Sequence, residues 1–276
     1  MSDLTKLVTD PDYLSAIQYH NSGNLSARIL LHQNFSTGAQ NWYEFVLDLA
    51  HIRSGERVLE IGCGNSMLWR GNHARLPENS VFYLSDLSPG MVRDGALMMK
   101  HDKRFHHLCL NGMAISFPEA SFDLVIANHM LYHVPSVEQV LSEIRRVMKP
   151  GAHFLAATNG IDHMQDLDIL LEKFSKRLKG RHGMGEKFNL QNGEKQLRSF
   201  FGKIQLHLYT SDLWVTDADI LTEYAYSTPL VTEALGTEGR SQMRAFFQKR
   251  INRLGGIYIR KQTSVYRAQV DLGSTK

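Results

Sequence analysis

Short apolar runs alternate with amphipathic stretches through the middle of this chain of 276 residues. Runs of about five apolar residues bounded by polar or breaker residues are typical of buried strands, whereas apolar residues at helical spacing fill the stretches between them. Such an alternation predicts an α/β fold with a doubly wound, mostly parallel sheet. The predicted strands lie near 57–61, 81–85, 105–110, 122–127 and 152–157.

Residues 1–50 are predicted to be an N-terminal helical cap. The pattern breaks at Ser22-Gly23 and continues into an aromatic-rich helix from Trp42 to Ala50. Because this segment precedes the first strand, it is free to lie across the mouth of the sheet. The predicted core follows over residues 51–158, where the helix from Val137 to Met148 ends at a Lys-Pro-Gly sequence that does not continue a helix.

Residues 159–203 are predicted to be a helical insertion that acts as a lid. An amphipathic helix from Met164 to Leu178 leads into a glycine-rich segment, 180–193, which we expect to order when ligands bind. Residues 204–270 are predicted to complete the sheet, and residues 271–276 to be a disordered tail. The elements predicted within 204–270 are an antiparallel strand pair at 205–209 and 257–267 and a helical stretch from Asp217 to Leu235.

The most specific signal is a glycine loop at the end of the first predicted strand. The apolar run Val58-Leu59-Glu60-Ile61 is followed by Gly62-Cys63-Gly64-Asn65-Ser66. Glycines let the backbone turn tightly and approach a ligand closely. The third glycine of a dinucleotide site is replaced by Met67, and the lysine of a P-loop is missing. A ligand without phosphates, such as S-adenosylmethionine, is therefore favoured.

Three further segments follow the glycine loop in an order that is informative. A second strand ends at Asp86, Asn111-Gly112-Met113 precedes a run from Phe117 to Asn128, and Val147 to Ala152 joins a helix to a strand. With the glycine loop, this series resembles the motifs of class I S-adenosylmethionine-dependent methyltransferases over roughly residues 55–160. The resemblance implies a seven-stranded, Rossmann-like sheet and S-adenosylmethionine as the cofactor.

The resemblance also implies roles for individual residues. Glu60 suits the cationic amino end of the cofactor, and the two oxygens of Asp86 suit the ribose diol. Asn111 replaces the usual Asp and accepts from the adenine amino group, while Ser66 replaces a third glycine and either donates to the carboxylate or caps the next helix. The predicted cofactor residues are Glu60, Gly62, Cys63, Gly64, Ser66, Asp86, Leu87, Asn111, Gly112, Met113, Asn128 and His133.

Candidate catalytic residues follow the fourth predicted strand, where class I enzymes place groups near the sulfonium and the acceptor. They are Asn128, His129 and Tyr132, together with Tyr19 from the cap. His129 and His133 are four residues apart, as in some zinc sites, but no third ligand has convincing spacing, so no metal is predicted. Further acceptor-pocket candidates are Tyr13, Arg28, His32, Trp214, Tyr224 and Tyr226.

The composition limits the compartments and partners that are expected for this chain. The chain is 43% hydrophobic and 21% charged, its two cysteines favour a reducing cytoplasm over a disulfide framework, and no apolar run predicts a membrane span or signal peptide. A net charge of +3 is too small to imply a nucleic acid partner. The basic residues near the C-terminus are interpreted as a solvated helix face; they are Arg244, Lys249, Arg250, Arg253, Arg260 and Lys261.

These features predict a cytoplasmic methyltransferase of secondary metabolism that acts on a small molecule by in-line displacement, as a monomer or homodimer. No nucleic acid or membrane partner is predicted. One alternative is a cyclase similar to azetidine-2-carboxylate synthases, in which the amine of S-adenosylmethionine attacks its own γ-carbon and methylthioadenosine leaves. A second alternative is a protein that binds S-adenosylmethionine without turnover.

Overall fold

A seven-stranded sheet forms the centre of the computed structural model, which describes residues 10–14, 23–179 and 186–271. Its strands are β1 (Arg57–Ile61), β2 (Val81–Asp86), β3 (Phe105–Cys109), β4 (Phe122–Asn128), β5 (Met148–Asn159), β6 (Lys203–Tyr209) and β9 (Thr263–Gln269). The strand order is β3-β2-β1-β4-β5-β9-β6. Only β9 runs antiparallel to its neighbours, β5 and β6. The predicted doubly wound, mostly parallel sheet is confirmed.

Helices cover both faces of this sheet. They are α1 (Gly23–Phe35), α2 (Trp42–Ala50), α3 (Met67–Arg70), α4 (Pro89–Met99), α5 (Val137–Val147), α6 (Gln165–Phe174), α7 (Gly193–Leu197), α8 (Ala218–Tyr226), α9 (Pro229–Leu235) and α10 (Gly239–Leu254). Single helical turns lie at Pro11–Tyr13, His73–Arg75, Leu131–His133 and Lys176–Leu178. Within the part of the chain that the structure describes, no helix is long and apolar enough to cross a bilayer.

Two of the elements predicted within residues 204–270 differ from the structure. The stretch from Asp217 to Leu235 is two helices, because Pro229 has no N–H to continue α8 and holds Thr228 in an extended conformation. The predicted strand 257–267 is also two elements. Its first part, β8 (Ile257–Ile259), leaves the main sheet and pairs with β7 (Leu213–Val215) in a separate two-stranded ribbon.

Alternate residues of each strand enter two different cores. Leu59 of β1 and Val125 of β4 face α5, whereas their neighbours Val58 and Leu124 pack toward α2 and α3. Burial on both faces is expected for parallel strands covered by helices. The carboxyl ends of β1, β2 and β4 therefore lie at one edge of a rigid platform.

The segments predicted as a cap, a lid and a C-terminal part share one hydrophobic cluster. Leu31 of α1, Leu167 of α6 and Met243 of α10 are all fully or almost fully buried in it, together with Val215 and Ile259 of the ribbon. These segments are far apart in sequence. They form a single helical layer beside the carboxyl edge of the sheet, so the boundary between cap and insertion is not visible in the packing.

The described part of the glycine-rich segment 180–193, residues 186–193, is packed against the sheet. Phe188 is fully buried, its carbonyl accepts a hydrogen bond from the Thr158 hydroxyl at 3.0 Å, and the Tyr266 hydroxyl donates to the Leu190 carbonyl at 2.7 Å. The expectation that 180–193 orders when ligands bind stays a prediction, and for residues 186–193 this burial and these hydrogen bonds favour an ordered segment already in the free protein. Residues 180–185 lie outside the described residues.

Substitutions in α6 test whether the insertion is core or a loose lid. Leu167 is 0% exposed and Ile169 on the same helix is 44% exposed. We expect Leu167→Ala to lower the free energy of unfolding by about 2–5 kcal/mol through cavity formation. The control Ile169→Ala should change it by less than about 0.5 kcal/mol. Urea unfolding monitored by circular dichroism measures both, and equal small effects would contradict a packed α6.

Candidate active site

The glycine loop after β1 meets two other segments at the carboxyl edge of the sheet. Gly62 and Gly64 have φ values of 70° and 54°. A Cβ atom on Gly62 would lie 2.7 Å from the Cβ of Met130, and one on Gly64 would lie 2.9 Å from a methyl carbon of Leu25. Both positions therefore require glycine for their backbone conformation and for the close approach of a neighbour.

Asp86 at the end of β2 holds the glycine loop in place. One carboxylate oxygen accepts the N–H of Gly64 at 2.9 Å, and the other accepts the N–H of Ser88 at 2.9 Å. Burial raises the pKa of Asp86, and the backbone hydrogen bonds oppose that rise. Because a carboxylate has about four acceptor positions, Asp86 keeps capacity for hydroxyl donors.

Glu60 at the end of β1 is 1% exposed and lines the same cavity. The indole N–H of Trp69 donates to its carboxyl group at 2.6 Å. Burial raises the pKa of Glu60 to about 8, although the Trp69 hydrogen bond lowers it. The group is therefore mainly protonated at neutral pH, and a cationic ligand beside it would favour the ionised form.

The loop after β4 carries the predicted catalytic residues. Asn128 accepts the indole N–H of Trp42 at 3.2 Å, and the His129 ring lies 4.9 Å from the Trp42 ring between centroids. His129 has a left-handed backbone with φ 58°, and its buried Nδ1 has no partner among the described residues. Burial, His133 and Lys261 lower the pKa of His129 to about 4, so the ring is neutral at pH 7.

The spacing of His129 and His133 does not produce a helical pair. His129 precedes the single turn Leu131–His133 rather than sharing an α-helix with His133. The rings of Tyr132 and His133 lie 4.6 Å apart. No group of three or more metal-ligating side chains is found in residues 10–14, 23–179 and 186–271.

One continuous cavity of about 1230 Å³ runs along this edge. Its first part, the cofactor lobe, lies against the glycine loop, Asp86 and Asn111. Its second part, the helical lobe, is lined by residues from α1, α8, the end of β6 and the connection before β9. The helical lobe residues used below are Arg28, His32, Tyr209, Tyr224 and Lys261.

Almost every predicted site residue lines this cavity. The lining includes Glu60, Gly62, Cys63, Gly64, Asp86, Leu87, Asn111, Gly112, Met113, Asn128, His129, Tyr132 and His133. Ser66 is the exception, since it is fully buried and its hydroxyl hydrogen-bonds with His107 Nε2 at 3.0 Å. Its side chain makes no capping hydrogen bond to α3 either. Tyr19 lies outside the described residues.

The acceptor candidates divide into two groups. Arg28, His32 and Tyr224 line the helical lobe, as expected. Trp214 does not, because it lies on the ribbon with 43% of its surface exposed. Tyr13 and Tyr226 are also absent from the lining, and the Tyr226 ring packs under the guanidinium of Arg240.

Sequence reasoning missed Lys261 and Trp42 as cavity residues. Lys261 is not on a solvated helix face, because α10 ends at Leu254 and Lys261 lies in the connection from β8 to β9. The antiparallel direction predicted for the last strand could have indicated that Lys261 reaches the cavity. A strand that runs against its neighbours begins where they end, so the residues just before it reach the carboxyl edge.

Comparisons with known proteins agree with this geometry. The family described as Methyltransferase domain matches residues 59–156. A demethylmenaquinone methyltransferase of Symbiobacterium thermophilum is 29% identical over 129 residues, which are 45% of this chain and 51% of that protein. A ubiquinone/menaquinone biosynthesis C-methyltransferase of Laribacter hongkongensis is 30% identical over 115 residues, which are 41% of this chain and 47% of that protein. The chain thus spans about half the length of these curated relatives.

A solved structure extends the likeness of fold beyond the matched segment. Phosphoethanolamine N-methyltransferase 2 of Haemonchus contortus, in complex with S-adenosylmethionine, aligns with a TM-score of 0.60 and 18% identity. The alignment covers 95% of this chain and 60% of that one. Residues 59–156 thus match a methyltransferase domain within a fold shared with solved S-adenosylmethionine-dependent methyltransferases, and S-adenosylmethionine is the cofactor that this similarity indicates. The open glycine backbone, the buried Glu60 carboxyl group and the Asp86 carboxylate fit S-adenosylmethionine.

We expect Asp86→Ala to weaken S-adenosylhomocysteine binding. Loss of hydrogen bonds to a charged group costs about 1.5–3 kcal/mol, and the substitution also leaves the Gly64 N–H without its acceptor. Isothermal calorimetry measures the change. Asp219→Ala, at an exposed position on α8, is the matched control and should bind like the parent. Parental affinity of Asp86→Ala would contradict the placement of the ribose.

The pKa of Glu60 predicts a pH dependence for the same binding reaction. Below its pKa of about 8 the free protein holds a proton that the ligand ammonium group displaces. Affinity for S-adenosylhomocysteine should therefore rise with pH up to about 8, by at most about tenfold per pH unit. Calorimetry at about pH 6, 7 and 8 measures the slope. Glu60→Gln should remove it, and an unchanged slope in that variant would rule Glu60 out as its source.

Proposed function

We propose that the protein transfers the methyl group of S-adenosylmethionine to a small-molecule acceptor in the helical lobe. The continuity of the two lobes is the observation that carries this proposal. Pockets for one small ligand typically measure about 300–1,000 Å³, so a cavity of about 1230 Å³ has space for an acceptor beside the cofactor. The names of the curated relatives also support a small-molecule acceptor.

In this proposal the cofactor lobe holds S-adenosylmethionine by three polar contacts. Asp86 accepts from the ribose hydroxyls, Glu60 faces the amino group, and Asn111 accepts from the adenine amino group. The Asn111 side-chain oxygen already accepts the N–H of Met113 at 3.0 Å, which fixes its direction. Leu87, 37% exposed, offers an apolar surface beside the adenine. The cofactor supplies a methyl group made electrophilic by its sulfonium.

The protein would act mainly by positioning and by excluding water. Asn128, His129 and Tyr132 stand where the two lobes meet, and the Trp42 indole fixes the first two. Alignment of two reactants in a dry site contributes up to about 7–11 kcal/mol in favourable reactions. A neutral His129 would accept a hydrogen bond from the acceptor, since its low pKa makes it a weak base.

We also propose a cytoplasmic location. Both cysteines are free thiols, with Cys63 buried in the glycine loop and Cys109 exposed at the end of β3. Burial raises the pKa of the Cys63 thiol well above its usual value, so it stays protonated and unreactive. An exposed free cysteine is most compatible with a reducing compartment.

The identity of the released nucleoside tests the proposed function. We expect purified protein with S-adenosylmethionine alone to give little turnover, because methyl transfer needs an external acceptor. Addition of small-molecule extract should then release S-adenosylhomocysteine together with a product carrying the labelled methyl group. Mass spectrometry with methyl-labelled cofactor identifies both products.

The control is Asp86→Ala, which should lose turnover by losing cofactor binding. Rapid release of methylthioadenosine without any acceptor, above the nonenzymatic rate, would contradict methyl transfer and favour the cyclase. Cofactor binding with no product under any condition would favour the non-catalytic alternative.

A further inference from the structure

Lys261 places a half-buried positive charge in the helical lobe. Its Nζ lies 3.2 Å from the Ser36 hydroxyl oxygen and 5.3 Å from the centre of the Tyr209 ring. Among the described residues, no carboxylate forms an ion pair with this ammonium. Removing an ammonium group from water without an ion-pair partner is costly, so an anionic ligand in the cavity would stabilise Lys261.

The nearest acid to Lys261 is already engaged elsewhere. One oxygen of Asp212 accepts the backbone N–H of Lys261 at 2.9 Å, and the other accepts the Tyr258 hydroxyl. Asp212 raises the pKa of Lys261, yet burial dominates and lowers that pKa to about 8. The ammonium is therefore mainly protonated at neutral pH but only partly compensated by the protein.

A second cation is fixed in the same lobe. The Arg28 guanidinium donates to the Ser227 hydroxyl at 3.0 Å and to the Ser227 carbonyl at 2.8 Å. Burial lowers the pKa of His32 well below its usual value, and Lys261 and Arg28, which line the same cavity, lower it further. Two acids, Asp168 and Glu44, line the same cavity.

Aromatic side chains complete the walls around these charges. Trp42, Tyr209 and Tyr224 line the cavity, and the rings of Trp42 and Tyr209 lie 5.2 Å apart in an edge arrangement. The Tyr224 ring meets His32 in a similar edge contact, at 5.9 Å between centroids. A positive charge at the end of an aromatic-walled space suits a flat or apolar molecule with an anionic end.

We propose that the acceptor is a carboxylic acid whose carboxylate pairs with Lys261 in the helical lobe. This inference rests on the proposed function, since it assigns a chemical class to the acceptor of that reaction. The carboxylate supplies the ion-pair partner that Lys261 lacks among the described residues, and it fixes one end of the acceptor so that the other end points toward Asn128 and the cofactor lobe. Arg28 contributes a longer-range attraction from the far wall.

The test compares two probes that differ in charge and not in shape. Protein saturated with S-adenosylhomocysteine is titrated with benzoate and with benzamide, and binding is followed by nuclear magnetic resonance. We expect benzoate to bind at least about tenfold more tightly than benzamide. Lys261→Met should abolish this preference, whereas Lys261→Arg should keep it because the charge remains. Lys249→Met, at an exposed position on α10, is the control and should bind both probes like the parent.

Three results would overturn the proposal. The first is equal affinity of the parent protein for both probes, and the second is no saturable benzoate binding up to about 50 mM. The third is a preference for benzoate that persists in Lys261→Met. Loss of the preference in Lys261→Arg as well would also contradict a purely electrostatic role. Affinity for S-adenosylhomocysteine should stay unchanged in every Lys261 variant. Failure of the proposed function appears separately, as methylthioadenosine release or as absence of turnover in protein that still prefers benzoate.

Discussion

The hydrogen bond between the Gly64 N–H and the Asp86 carboxylate is the contact on which the cofactor lobe depends. It joins the loop after β1 to the end of β2, and the Cys63 N–H reinforces the junction by donating to the Ser85 carbonyl at 2.9 Å. The strand order reverses between β1 and β4, and ligands of open α/β sheets bind at such a point. A tight glycine turn at this place leaves backbone and carboxylate facing the same open space.

The second constraint is the direction of β9. Because β9 runs against β5 and β6, its first residue, Thr263, lies beside the last residue of β5. The connection that precedes it carries Lys261 to the carboxyl edge, where the helices of the second hydrophobic cluster also gather. The cavity is thus closed by segments from both ends of the chain. Cofactor and acceptor regions become neighbours through topology, although their residues are distant in sequence.

Local patterns were sufficient for the sheet and the cofactor lobe. Strand β1 and helix α2 have the predicted bounds, and every predicted cofactor residue except Ser66 lines the cavity. The reason is that short stretches of adjacent residues identify the glycine loop and the acid at the end of β2, and their backbone conformation follows from those same residues. Ser66 was predicted to contact the cofactor or to cap a helix, but its hydroxyl forms a hydrogen bond with His107 of β3. No local sequence pattern links these two residues.

The helical lobe was not predictable in the same way. Lys261 was interpreted as solvated because its sequence neighbours are charged, and Trp214 was considered a recognition residue because it is aromatic. The pairing of β7 with β8 decides both positions, since it exposes Trp214 and leads the chain back to the cavity at Lys261. Such long-range pairing carries little signal in one sequence. The 180–193 segment was likewise interpreted from its glycine and polar content, while the burial of Phe188 determines the position of its described part.

A crystal structure of the protein with S-adenosylhomocysteine tests whether one cavity holds the cofactor and leaves a separate lobe for the acceptor. We expect ribose hydroxyls within hydrogen-bonding distance of Asp86, the sulfur facing Asn128, and an open space between the sulfur and Lys261. An adenosyl group away from Asp86, or a ligand whose amino acid end occupies the helical lobe and contacts Lys261, would contradict it.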